Sequence, residues 1–184
     1  MSPEQSQEKQ WLEGIIAGRQ ECLHSLYQAY EARLYRFAMI RLNEPADAAD
    51  VVNDVMLQVW RSAERFKGQS RLSTWIFGIA NHKILDHLRR RQRTETEELD
   101  EQISDDATPS LLRETAAVQE MDLIQRCMQQ LSTIQQQVLQ LTFIENASYG
   151  EIAEILDCPQ GTVKTRVFNA RKLLKKCFQR LTGK

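Results

Sequence analysis

Glycine and proline are scarce in this chain, 7 and 4 of 184 residues, which excludes a collagen-like or Pro/Gly-rich low-complexity polymer. No apolar run approaches the ~20 residues that a membrane-spanning helix needs. The first ten residues are polar and lack the basic-then-apolar order of a secretory signal. These absences lead to the expectation of a cytoplasmic protein without membrane insertion. The 4 cysteines, Cys22, Cys127, Cys158 and Cys177, include no C-x-x-C pair, so structural or incidental roles are expected. Cys22 and His24 lack a second ligand pair, and the spacing of His82 and His87 does not put them on one helical face, so no metal site is expected. There is no nucleophile motif and no glycine-rich phosphate loop, so the chain reads as a protein that is not an enzyme and needs no cofactor.

What is present is an uneven distribution of charge. The net charge of −1 resolves into +3 over residues 1–93, −8 over 94–126 and +4 over 127–184. From Pro159 to the end there are 8 basic residues and no acid. Two basic blocks around an acidic middle suggest two polyanion-binding modules and a tether.

Apolar residues recur at three- and four-residue spacing over 11–16 and 23–42, which predicts helices. Pro45, suited to a first helical turn, opens another that runs to about Phe66. A turn at 67–70 precedes a helix over 73–93. Residues 94–109 carry 7 acids and no base with few apolar groups, too little burial to offset chain entropy, so an extended linker is expected, with helices resuming near Ser110. Ser132 with Gln135, and Ser148 with Glu151, have capping-box spacing. The second box opens a helix of about eight residues, a turn follows at 157–161, and a last helix runs from about Thr162 to Arg180. The fold class is all-α. It comprises two small helical domains, residues 1–93 and 116–184, joined by a flexible acidic linker at 94–115.

A short helix, a glycine-containing turn and a longer basic helix make a helix-turn-helix, whose second helix enters the DNA major groove. At 100° per residue, Val163, Val167, Ala170 and Leu174 form its buried stripe. Lys164, Thr165, Phe168, Asn169, Lys172, Lys175 and Lys176 form the opposite face, with lysines for phosphates and Phe168 for a thymine methyl. A solvated basic face near a helix C-terminus has the same pattern.

In the helix that starts at Pro45, Val51, Val52, Val55, Met56, Val59 and Trp60 form the apolar half. Asp47, Asp50, Asn53, Asp54 and Arg61 form the other half, with Leu57 among them. Such a face suits a basic protein partner with a small pocket, or is ordinary solvated surface. In the next helix Trp75, His82, Asp86 and Arg89 share a face apart from the apolar one, Asn81 lies beyond its edge, and Arg89-Arg90-Arg91-Gln92-Arg93 closes the run. Aromatics that stack on bases and arginines that track phosphate suit single-stranded nucleic acid. Packing of Trp75 against the Phe66 loop is the alternative.

Three blocks in this order resemble the extracytoplasmic-function sigma factors of bacterial RNA polymerase. They are Asp47-Ala-Ala-Asp-Val-Val-Asn-Asp-Val-Met-Leu-Gln-Val-Trp60, then Arg65-Phe-Lys-Gly-Gln-Ser-Arg-Leu-Ser-Thr-Trp-Ile-Phe-Gly-Ile-Ala80 continuing to Arg91, then Ser148 through Phe168. The resemblance implies a transcription initiation factor whose partners are core RNA polymerase, promoter DNA and an anti-sigma factor. It implies docking on the polymerase clamp helices through Asp47, Asp50, Asn53, Asp54 and Leu57. It implies reading and melting of the minus-ten element by Phe66, Lys67, Ser70, Arg71, Trp75, Asn81, His82, Arg89 and Arg90, with a base flipped into a loop pocket. The linker would follow the RNA exit path. The C-terminal domain would meet the polymerase flap and read the minus-thirty-five element through Thr162, Lys164, Thr165, Phe168, Asn169 and Lys172. Three positions depart from the family's usual pattern: Ala49 replaces an acid of the docking motif, His82 stands where many members have Asn, and Asn169 where some have Arg.

Overall fold

The computed structural model describes residues 3–97 and 116–182, with side chains over 5–93 and 123–182. Eight α-helices occur among the described residues, with a 3-10 turn at Ala63–Arg65. They are α1 (Pro3–Ile16), α2 (Gln20–Leu42), α3 (Pro45–Ser62), α4 (Leu72–Glu97), α5 (Ala116–Gln129), α6 (Thr133–Phe143), α7 (Tyr149–Ile155) and α8 (Gln160–Thr182). No described helix is long and apolar enough to cross a membrane.

Three elements run beyond the limits their periodicity predicts. α1 begins at Pro3, and α8 extends to Thr182. α4 continues to Glu97, inside the acidic stretch expected to be extended, because residues 94–97 contain no proline or glycine to stop it. The rest of that stretch, and the expected restart near Ser110, lie outside the described residues. α3 is shorter than expected: the chain tightens at Ala63–Arg65, and Phe66 is already extended.

The amino-terminal helices pack around one core. Leu26, Tyr30, Leu34 and Phe37 of α2 are buried against Val51, Val52, Val55 and Val59 of α3 and Ile76, Phe77, Ala80 and Ile84 of α4. Phe37 meets Phe77 edge-on at 5.2 Å, a favoured arrangement of ring quadrupoles. The α1–α2 corner needs its glycines. Gly18 adopts φ +77°, and a Cβ on Gly14 would lie 2.2 Å from Cys22 Sγ.

The carboxy-terminal helices are set by their caps. Ser132 and Ser148 each accept from the backbone N–H three residues on, and Gln135 and Glu151 reach back to close both capping boxes. The turn between α7 and α8 takes its left-handed residue from Asp157 at φ 48°. Gly161 was expected in that turn but lies in the first turn of α8, so the corner depends on an aspartate that tolerates this backbone region. Val163, Val167 and Ala170 are buried as the 100° projection requires.

The sequence pairs none of the cysteines, yet Cys127 of α5 and Cys177 of α8 form a disulfide, with Cα atoms 5.7 Å apart, while Cys22 and Cys158 are free thiols. A bond across 50 residues of chain has no local signature. Chain-entropy arguments put its stabilisation at up to about 4 kcal/mol. Thermal unfolding with dithiothreitol, or of a C127A/C177A variant, is expected to show a lower midpoint for the carboxy-terminal helices. Equal midpoints would contradict the pairing. Ser148→Ala removes one cap and should cost about 1 kcal/mol in denaturant unfolding, whereas Ser148→Asp, which retains an acceptor, should cost much less.

Candidate nucleic-acid interface

α8 separates two kinds of surface. Val163, Val167 and Ala170 face inward, and Lys164, Thr165, Phe168, Asn169 and Lys172 are exposed on the other side, with Thr162 half-buried at the start. Phe168 is 67% exposed, the most open of the large apolar side chains. A buried position two or three residues along the same helix was available to it, so its exposure is a property of the face and not of the helix end. Thr165 donates its hydroxyl to the Gly161 carbonyl, which fixes its rotamer and leaves its methyl outward. Arg171 lies over the Phe143 ring at 4.8 Å and so belongs to the packing between α6 and α8 as well as to the basic surface.

The loop from Phe66 to Arg71 leads into α4. Gly68 sits at φ +68°, a left-handed corner that turns the loop. Phe66 and Trp75 are half-buried with ring centroids 5.3 Å apart, so the packing alternative for Trp75 is realised and this pair forms a fixed aromatic wall beside the loop. Lys67, His82, Arg89 and Arg90 are exposed, and Ser70 is half-buried. Arg89 pairs with Asp86 at 3.2 Å on the same helix. Asn81 needs correction. It was placed beyond the edge of the Trp75 face, but its side chain is 1% exposed and so turns inward.

On α3, Asp50, Asn53, Asp54 and Leu57 are exposed, Leu57 at 45%. Asp47 is half-buried because α4 reaches it: His87 Nε2 lies 2.9 Å from its carboxylate, and Lys83 lies 3.9 Å from Asp54. Beside this face a groove of about 540 Å³ runs between α2 and α3, lined by Leu23, His24, Tyr27, Met56, Leu57 and Trp60. Sequence reading placed Met56 and Trp60 in the apolar half of α3 but missed the contribution of α2. The signal was available: an apolar half that wide covers more than one neighbour.

The two halves touch, which no sequence pattern indicated. Arg33 of α2 forms a hydrogen-bonded ion pair with Glu145, which follows α6 and whose side chain is 3% exposed. Gln140 Nε2 donates to the Arg33 carbonyl at 3.4 Å. Thr74 of α4 donates to Glu151 of α7 at 3.2 Å, and Arg71 lies 3.7 Å from the same oxygen. Burial alone would push the Glu151 carboxyl up. Its hydrogen bonds from Ser148, with Arg71 and Thr74, outweigh this and hold it below the usual carboxylate range. Among the described residues no cluster of three or more His, Cys, Asp or Glu side chains is placed to hold a metal ion.

Residues 26–94 match the family model for sigma-70 region 2, and residues 121–174 match that for sigma-70 region 4. The chain is 27% identical to the RNA polymerase sigma-H factor of Pseudomonas aeruginosa over 96% of both chains. It is 27% identical to the extracytoplasmic-function sigma-E factor of Haemophilus influenzae over 97% of this chain and 98% of that one. In fold it is similar to the sigma factor RpoE of Bartonella quintana, solved with the anti-sigma factor NepR, at TM-score 0.65 and 24% identity over 84% of this chain and 97% of that one. It is also similar to CnrH, solved with the cytosolic domain of CnrY, at TM-score 0.64 and 21% identity over 95% and 98%. The two surfaces and the matched regions coincide, and the chain belongs to the extracytoplasmic-function class of sigma-70 factors, the non-catalytic subunits that direct RNA polymerase to promoters.

Proposed function

We propose that this factor reads the minus-thirty-five element in the major groove with α8 and the minus-ten element as single strand with the Phe66–Arg71 loop and α4, while α3 docks on the polymerase clamp helices. The observation that carries the reading is Phe168, exposed among Lys164, Thr165, Asn169 and Lys172 on a helix whose opposite side is fully packed. An apolar ring ringed by bases is costly in water and useful against a thymine methyl flanked by phosphates. Residues 1–93, 94–115 and 116–184 are the corresponding functional units.

The minus-ten set is Phe66, Lys67, Ser70, Arg71, Trp75, His82, Arg89 and Arg90. Asn81 is left out because its side chain is buried. The Phe66–Trp75 pair would act as one wall of a pocket for an extruded base, gaining stacking area without having to order a free side chain. His82 would present a ring and a proton donor where many relatives present an amide. Ala49 removes a charge from the docking face, so Asp50, Asp54 and the Leu57 groove would carry most of the clamp contact. The same groove, apolar and rimmed by acids, suits an amphipathic segment of an anti-sigma factor.

Run-off transcription with core polymerase, this protein and a pool of promoter fragments tests the whole reading. Transcripts that depend on the protein are expected, and their start points give both elements. A duplex footprint without polymerase binding would instead make the protein an independent helix-turn-helix regulator. Asp50→Arg combined with Asp54→Arg is expected to weaken polymerase binding tenfold or more, on the order of the 1.4 kcal/mol that a tenfold change represents, and to leave duplex affinity unchanged. Phe168→Ala should lower duplex affinity and relax base preference while stability changes by less than about 0.5 kcal/mol. An unchanged binding curve would remove Phe168 from the interface.

A further inference from the structure

We infer that the packed arrangement of the two halves is an autoinhibited state, in which Glu151 of α7 occupies the cationic loop that reads the minus-ten element and the Arg33–Glu145 ion pair acts as the latch. The inference rests on the proposed assignment of the loop and of α8.

The first observation is the mask itself. Glu151 bonds Thr74 and pairs with Arg71, and the Asn146 carbonyl accepts from Arg71 at 3.5 Å. Thr74 is 3% exposed and cannot meet DNA in this arrangement. The cleft over the loop, about 840 Å³, has Lys67, Ser70 and Arg71 on one side and the acids Glu8, Glu151 and Glu154 among its other walls. A carboxylate of the protein thus sits where a phosphate of the DNA would sit, and DNA must displace it.

The second observation is one of reach. A chain of this length packed as one body has a radius of gyration of about 16 Å, and so a diameter of roughly 40 Å. Two promoter elements whose names place them about 25 base pairs apart lie some 85 Å apart on a duplex with 3.4 Å per base pair. The packed body cannot touch both. The chain between Glu97 and Ala116 can extend to roughly 65 Å at ~3.5 Å per residue, which is enough once the halves separate.

The third observation is that the contact is built to open. It joins an apolar seam, in which Val138, Leu141, Ile152 and Ile155 share the core cluster of the amino-terminal helices, to a polar latch. Within that latch Glu145 Oε1 and Gln140 Oε1 are buried without a hydrogen-bond partner among the described residues. Opening would hydrate both atoms and release Arg33, so the polar part of the contact adds little net stability to the closed form. The recognition face of α8 is exposed already, so closure blocks the minus-ten reader and the span while leaving Phe168 open.

The test compares the free full-length protein with a Glu145→Gln/Glu151→Gln variant. Glutamine at 151 preserves the capping box, and a Glu21→Gln/Glu64→Gln variant makes the same charge change away from the latch. Small-angle scattering reads closure, and a fluorescein-labelled single-stranded DNA pool of random sequence reads access to the loop. The latch variant is expected to expand by several ångströms in radius of gyration and to bind single strands severalfold tighter than the charge control. A wild type that is already extended would overturn the inference, as would a latch variant that matches the control in both readouts. So would a variant that expands without gaining affinity, because the loop would then be open in both states. If circular dichroism shows the latch variant unfolded, hydrogen exchange of the wild type decides. Amides of α7 and of the Phe66–Arg71 loop should lose protection when core polymerase binds, and unchanged protection in a complex that forms would also overturn it. A failure of the functional reading is distinct, since the protein would then support no run-off transcript whatever its shape.

Discussion

The relative placement of the two halves depends on Arg33. Its guanidinium lies 4.4 Å from the centre of the Tyr30 ring and donates to Glu145, and its own carbonyl accepts from Gln140. Tyr30 in turn donates its hydroxyl to Glu8 of α1. Burial would lower the Arg33 pKa, but its hydrogen bonds and proximity to Glu145 raise it, so the group stays charged. Burial and the Glu8 carboxylate push the Tyr30 hydroxyl up, so it stays protonated and remains a donor. One relay of polar groups therefore runs from α1 through α2 to the segment after α6, lying over apolar rings that exclude water from one side. Loss of either member would leave the other with a desolvated charge, which is why such pairs are sensitive to substitution even when their net contribution is small.

Much of this architecture was legible in the residues because it is governed by local rules. The stripe Val163, Val167, Ala170 follows from helical periodicity, and the two serine caps follow from S-x-x-Q and S-x-x-E spacing. Phe168 stood out as an apolar residue on the wrong side of its helix, and Leu57 likewise, and both are exposed. What was not legible is non-local. Arg33 and Glu145 are 112 residues apart, and Thr74 and Glu151 are 77 apart. Glu151 in particular had a complete local explanation as a capping residue, which hid its second role. Asn81 was misplaced because a residue at the edge of a helical face can turn either way, and the neighbouring helices decide which. The turn glycine was a reasonable guess, but Asp157 takes the left-handed position and leaves Gly161 to α8.

The surfaces on α3 and α8 differ in what they ask of a partner. The α3 face is acidic and lies beside an apolar groove, so it selects a basic protein surface with a protruding apolar group. The α8 face is basic with one aromatic ring, so it selects a polyanion that also offers an apolar spot. Because each face repels the other's ligand, two binding activities of opposite sign coexist in 184 residues without competing.

The disulfide has a mechanical corollary. α8 is a single helix of 23 residues, about 35 Å long at 1.5 Å per residue. Cys177 ties its distal part to α5, and Phe168 sits about 14 Å back along the same rod. α5 begins where the acidic stretch ends, so it is the first structured element to feel tension in the tether between the two halves. A torque on α5 is transmitted through a covalent bolt to a stiff lever and reaches the DNA-facing side chains as a tilt, with no slippage at the α5–α8 contact. Reducing the bond would turn the bolt into a sliding joint and uncouple the strain in the tether from the angle at which α8 meets the groove.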